Sequence, residues 1–180
     1  MAIPDSPDPR PESGPAEGRL IRKRRTLPHW HLGGSTYFLT YRCVPGRVLD
    51  AGDRTIVLDN WKHWDGLRYS LHAVVVMPDH VHVLLTPARA ADRTYVPLAD
   101  ILRTNKGFSS RAIGKRADRG GTLWQDERYD RIIRDEEEFR EKWDYMLKNP
   151  MEGGLCSRAE DYPWWYGKIR ATEEPAEPSA

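Results

Sequence analysis

The sequence predicts an α+β domain: an antiparallel sheet with helices packed mainly on one face. Three observations carry this. Runs of alternating β-formers are interleaved with helical segments in the order β-α-β-β-α-β-α. Two of the strand-like runs, residues 71–76 and 81–86, are joined only by Met77-Pro78-Asp79. Pro-Asp suits a short turn, so they pair as a hairpin. The helical segments each carry one apolar stripe, which must be buried against the sheet.

Each element has its own signal. Residues 35–43, STYFLTYRC, alternate and are rich in β-formers. Residues 53–68 put Val57, Trp61 and Trp64 on one helical face. Residues 98–117 form a second helix, with Leu98, Ile101, Leu102, Phe108 and Ile113 at helical spacing. Gly120-Gly121 breaks the chain, and a fourth strand lies within residues 122–133. The last helix spans residues 135–149. Asp135 is its expected N-cap and Glu138 the reciprocal partner of a capping box. Acidic residues crowd its first turn, as the helix dipole favours. Phe139, Trp143, Met146 and Leu147 form its apolar stripe. Tyr145 points roughly 140° from the centre of that stripe, and Asn149 lies one turn on along nearly the same line. The pair is therefore expected on a face that the core does not claim. Pro150, followed by Gly153-Gly154, is expected to end the helix.

At 180 residues the chain is long enough for one domain with a real core. Residues 1–18 hold five prolines and almost no large apolar side chain, and residues 171–180, ATEEPAEPSA, are similar. Neither can bury enough surface to offset ordering entropy, so the folded unit is expected at residues 19–170. No apolar run approaches a membrane span, and no apolar signal segment opens the chain. Cys43 and Cys156 are too few for a disulfide scaffold and lack zinc-type spacing, which fits a reducing cytoplasm.

Net charge is only +1, from 28 basic and 27 acidic residues. The distribution says more. Arg19, Arg22, Lys23, Arg24 and Arg25 form one basic block. Arg103, Lys106, Arg111, Lys115, Arg116 and Arg119 form another, placed on the exposed face of the second helix. Separated signs suit a polyanionic partner better than the total implies. Trp30, Trp124, Trp164 and Trp165 are candidates to stack on unpaired bases. Trp124 is assigned to the core instead, and Trp164-Trp165-Tyr166 to stacking or to docking of the C-terminal segment.

The densest chemistry lies in residues 74–87, VVVMPDHVHVLLTP. In a strand, His80 and His82 share one face with Leu84, while Val81, Val83 and Leu85 point to the other, into a core. Two imidazoles side by side on a rigid strand make half of a divalent-metal site. Tyr145 and Asn149 are the residues that can complete it.

Taken together, LPHWHLGGSTYFLTYR (27–42), HAVVVMPDHVHVLLTP (72–87), KGFSSR (106–111), LWQDERYDRIIRDEEEF (123–139) and YMLKNPMEGGL (145–155) resemble the REP-associated tyrosine transposases. These are single-tyrosine HUH transposases, named for a His-hydrophobic-His motif. The resemblance spans nearly the whole folded unit. It implies a ferredoxin-like HUH nuclease fold and a bacterial cytoplasmic, nucleoid-associated protein. It implies a metal-dependent endonuclease and strand transferase acting on single-stranded DNA at palindromic hairpins. Tyr145 is then the nucleophile, and His80, His82 and Asn149 the ligands of Mg²⁺ or Mn²⁺. Related insertion-sequence transposases usually carry Gln where this chain has Asn149. The same resemblance leaves His29 and His31 no metal role. Arg22, Lys23, Arg24 and Arg25 are assigned to hairpin recognition, and Arg103, Lys106, Arg111, Lys115 and Arg116 to phosphate contacts. The oligomeric state is left open between monomer and homodimer.

Three other functions compete. A hairpin-binding protein without catalysis would need neither the histidines nor Tyr145. Replication and conjugation initiators share the same residue logic but are usually larger. A structural metal domain would close its site with four protein ligands, and only three are at hand.

Overall fold

Among the described residues, runs rich in β-branched and aromatic side chains form five strands, and three longer segments form α-helices. The structure is a computed structural model that describes residues 34–90, 94–118 and 120–168. All of them belong to the second of two units, His31–Ala180; the first, Met1–Trp30, lies outside the described residues. So do Arg119 and residues 169–180. The expectations for both tails, for Arg22, Lys23, Arg24 and Arg25, and for His29, Trp30 and His31 therefore fall outside the described residues.

The elements are β1 (Tyr37–Cys43), α1 (Ala51–His63), β2 (Tyr69–Val76), β3 (His80–Pro87), α2 (Leu98–Ala117), β4 (Trp124–Ile132), α3 (Glu136–Glu152) and β5 (Trp165–Gly167). The sheet order is β4-β1-β3-β2-β5, and every neighbouring pair is antiparallel. This is the expected α+β class. No helix among the described residues is long and apolar enough to cross a membrane.

Pleat alternation divides the core in two. Leu39, Tyr41, Val81, Val83 and Leu85 join Val57, Trp61, Ile101 and Leu102 under α1 and α2. Phe38, Val75, Met77 and Leu84 meet Phe139 and Met146 of α3 on the opposite face. Two helices thus share one face, as expected, and the third lies on the other. The histidine face was expected to be free of core. It carries a second, smaller core, because α3 folds back over β2 and β3.

Local chemistry explains the boundaries. α1 starts two residues before the expected position because Asp50 and Asp53 form its capping box. It stops at His63, and Gly66 then takes φ +78 in the turn into β2. Asp135 caps α3 as expected, accepting from the Glu138 amide at 2.8 Å. Glu138 does not close a capping box. Its carboxylate reaches the Arg134 amide at 3.0 Å and the guanidinium groups of Arg131 and Arg134. Pro150 does not end α3, which runs on to Glu152. A proline this close to the end disturbs only the bond to the Met146 carbonyl, and the helix has just two residues left to run.

β5 was not expected as a strand. It pairs with β2 through Ala73, Val74 and Val75, so Trp164-Trp165-Tyr166 serves to dock the segment. Trp165 packs edge-on against Trp143, and Arg54 lies 3.6 Å from the Trp164 ring centroid. Gly167 is required for this close approach, since a Cβ there would meet Trp143 at 2.6 Å. Trp124 is buried and donates to Ser109 at 3.0 Å, in keeping with its core assignment.

Glu138 generates a pH prediction. Burial opposes its ionisation, but the Arg134 amide and the two guanidinium groups outweigh it and hold the carboxyl near 2 instead of 4.5. A folded-state value below the unfolded one stabilises the fold above pH 4.5, and that contribution is lost as pH falls toward 2. Glu138→Gln should therefore lower the melting temperature at pH 7. The gap to wild type should close in scans taken progressively below pH 4.5.

Candidate active site

β3 is central in the sheet, so its side chains are fixed from both flanks. His82 is only 3% exposed. Its ring stacks on Phe38 of β1 at 5.5 Å and 18°. Its Nδ1 shares a 2.7 Å hydrogen bond with Thr40 Oγ1, its cross-strand partner. Burial, then the neighbouring His80 ring and Arg42, keep the imidazole neutral down to about 3. His80 is held differently. Its Nδ1 meets the Asp79 carboxylate at 2.6 Å, and Arg42 contacts the other oxygen of Asp79 at 3.3 Å. Burial would raise Asp79, but the His80 hydrogen bond and the Arg42 charge hold it below the usual carboxylate range.

Both Nδ1 atoms are thus engaged, and both Nε2 atoms turn toward α3. His80 Nε2 lies 3.3 Å from Asn149 Oδ1. His82 Nε2 lies 3.5 Å from the Tyr145 hydroxyl. The two rings are 4.7 Å apart. The four residues singled out from sequence therefore converge, although about sixty residues separate the pairs.

Tyr145 and Asn149 lie off the buried line through Phe139, Met146 and Pro150, as expected, and the Tyr145 ring meets Phe38 edge-on at 6.1 Å. At 43% exposure it is open to solvent on one side and ordered on the other. Lys142, one turn earlier, places Nζ 6.0 Å from the centroid of the same Phe38 ring.

The donor set fits a divalent cation. Both imidazole Nε2 atoms turn toward α3, where that of His80 meets the Asn149 amide oxygen, and each imidazole is oriented through its other nitrogen, as metal-bound histidines usually are. Among the described residues no group of three or more His, Cys, Asp or Glu side chains is arranged to hold a metal ion, and the further oxygen beside the two imidazoles is that of Asn149.

The second basic block is not one exposed face. Lys106 is half-buried, donates to the Gln125 carbonyl at 2.5 Å and lies over the Tyr41 ring. Desolvation lowers its pKa. Arg116 is tied to Asp50 and Asp53 at the start of α1, and Arg103 to Asp100. Arg111 and Lys115 are exposed, but α2 covers the sheet face opposite the histidines. None of the five lines the candidate site. Helical periodicity marks which face is polar but not which cation an acidic neighbour has already claimed.

Phe38, Thr40 and Lys142 went unremarked in the sequence, and Asp79 was read only as a turn residue. Asp79 adjoins His80, and Phe38 and Thr40 share one face of their strand by alternation. Only the β1–β3 register shows that this face meets the histidines.

No protein-family model matches this chain, and no curated protein matches it. Among solved structures, a REP-associated tyrosine transposase bound to a REP hairpin superposes with TM-score 0.61 at 20% identity, covering 77% of this chain and 80% of that one. The two proteins share a fold. A transposase candidate from Deinococcus radiodurans R1 aligns over 68% of this chain and 95% of that one at 22% identity, with a TM-score of 0.43.

The burial of His82 changes what its removal should do. His82→Ala leaves a cavity against Phe38 and an unpaired Thr40 hydroxyl, and should cost about 1–3 kcal/mol in urea unfolding. His80→Ala, at the more open edge of the site, should cost less. Equal losses would mean that the Phe38 stack contributes nothing.

Proposed function

We propose that this chain is a single-tyrosine DNA nuclease and strand transferase acting on single-stranded DNA beside hairpins. One observation carries the reading: two adjacent imidazoles each meet α3 through Nε2, His82 at the Tyr145 hydroxyl and His80 at Asn149 Oδ1. A purely DNA-binding protein has no use for that convergence. The shared fold with a transposase solved on a REP hairpin supports the choice of DNA.

In this reading Tyr145 Oη attacks the scissile phosphorus. The tyrosine loses its proton, the phosphorus–O3′ bond breaks, and the departing 3′ oxygen is protonated. The product is a 5′-phosphotyrosine and a free 3′-OH. Reversal on another 3′-OH joins strands without ATP, because the phosphotyrosine retains the phosphodiester energy. Phe38 orients both the nucleophile and His82. His80, His82 and Asn149 would hold Mg²⁺ or Mn²⁺, of which imidazole suits Mn²⁺ better. When bound, such a cation supplies Lewis acidity toward the non-bridging phosphate oxygens. The ligands are neutral, so they do not cancel its charge.

The test is a labelled hairpin oligonucleotide with single-stranded flanks, incubated with the full chain and Mn²⁺ or Mg²⁺. A denaturation-resistant protein–DNA adduct is expected. Tyr145→Phe should abolish the adduct while hairpin binding stays within about twofold, since only a hydroxyl is lost. An adduct that survives this substitution would remove Tyr145 from the mechanism. Binding without any adduct in the wild type would favour the non-catalytic hairpin binder.

His80→Ala should likewise abolish the adduct, with little loss of fold. Chelator should reproduce that defect in the wild type, and added Mn²⁺ should reverse it. Cleavage that persists in chelator would dismiss the metal from the reaction.

A further inference from the structure

The face of the sheet that bears the histidines is covered unevenly. α3 packs over β2 and β3. Among the described residues, the β4 side of this face and the Arg42 end of β1 are left uncovered, with the Arg42 side chain 57% exposed and that of Arg131 41%. Strand register sets Thr40 opposite His82 on one side and opposite Tyr129 on the other. Tyr129, Thr40 and His82 thus form one row across three neighbouring strands. Two strand spacings place the Tyr129 backbone about 10 Å from that of His82.

Tyr129 is 53% exposed yet well held. Its ring meets Phe38 edge-on at 6.5 Å. Arg131, on the same face two residues on, interacts electrostatically with Tyr129 and is tied in turn to Glu138 in the first turn of α3. Phe38 is the same ring that touches His82 and Tyr145. An ordered aromatic surface is therefore coupled through one side chain to the candidate nucleophile. The nearby cations are partly neutralised, Arg42 by Asp79 and Arg131 by Glu138. Affinity on this face must come from more than phosphate attraction.

We propose that Tyr129 is the stacking platform for an unpaired base adjoining the scissile phosphate, which makes the open β4 side of this face a single-stranded DNA subsite of the Tyr145 centre. The inference rests on the nuclease reading above. Aromatic side chains displayed on a sheet surface suit unpaired bases, because every base offers a π-face. A single row of the sheet places platform and phosphate site side by side, as two neighbouring groups of one strand require.

The experiment uses the full chain and the flanked hairpin, intact or with one abasic site at each flank position in turn. Rates of adduct formation give KM and kcat. Tyr129→Ala and Tyr129→Leu should each raise KM about 5- to 150-fold, the range for loss of one base–aromatic stack. Saturating kcat should change little. Tyr129→Phe and Tyr129→Trp should keep the wild-type KM. One abasic position should raise the wild-type KM yet leave that of Tyr129→Ala unchanged, since the stack is already gone. Should Tyr129→Ala fail to fold, the Leu and Phe variants carry the same comparison. Wild-type KM in the Ala or Leu variant overturns the inference, and so does an abasic penalty that simply adds to theirs. No adduct from the wild type overturns the nuclease reading and this inference together. An adduct at Tyr145 that is indifferent to Tyr129 overturns this inference alone.

Discussion

The pleat of β3 is the constraint on which the rest of the structure depends. It lies between β1 and β2, so neither of its edges can move independently. Side chains two residues apart share a face, and that geometry alone sends Val81, Val83 and Leu85 under α1 and α2 and His80 and His82 toward α3. A slip of one residue would drive both imidazoles into the larger core under α1 and α2 and turn Val81, Val83 and Leu85 toward α3. The apolar side of β3 therefore holds the polar side in register. The core packing of one face is what aims the chemistry of the other.

The two histidines are equivalent in the pleat but not in their surroundings. His82 is locked by a stacked ring and a neutral hydroxyl, and burial keeps it uncharged. His80 is backed by a carboxylate that Arg42 shares. One imidazole is set by packing and the other by charge. In a metal site the first would fix position, while the second would gain basicity from its carboxylate partner.

Much of this was legible in the sequence. Alternation and helical spacing, together with the hairpin turn, located the first four strands and all three helices, because each signal is local. His80, His82, Tyr145 and Asn149 could be paired across about sixty residues because each belongs to a strong element with a definite face. The misses have one cause. β5 is three residues long and exists only through its pairing with β2. The second core under α3, the burial of His82 and the inward course of Lys106 depend on which face meets which, and no local pattern states that. Glu138 obeyed helix-end chemistry only in part, since two arginines nearby in space offered more than the N-cap amide.

That partial failure bears on the site itself. The separation of Tyr145 from His82 is set by where α3 rests on the sheet, not by either residue alone. Glu138 binds the start of the helix to Arg131 on β4. At the other end Pro150 is buried and its carbonyl receives the Leu155 amide at 2.9 Å, turning the chain back toward Tyr162, which packs beneath α3 in the smaller core. Between these anchors Tyr145 and Asn149 sit on a rigid stretch of helix, one turn apart. Asn has a shorter side chain than Gln, so its oxygen reaches His80 only if the helix is held close to β3. The anchoring of α3 and the choice of asparagine are thus two parts of one geometric solution. A helix able to shift by even an ångström would separate Asn149 from His80 and Tyr145 from His82 together, because both contacts hang from the same turn.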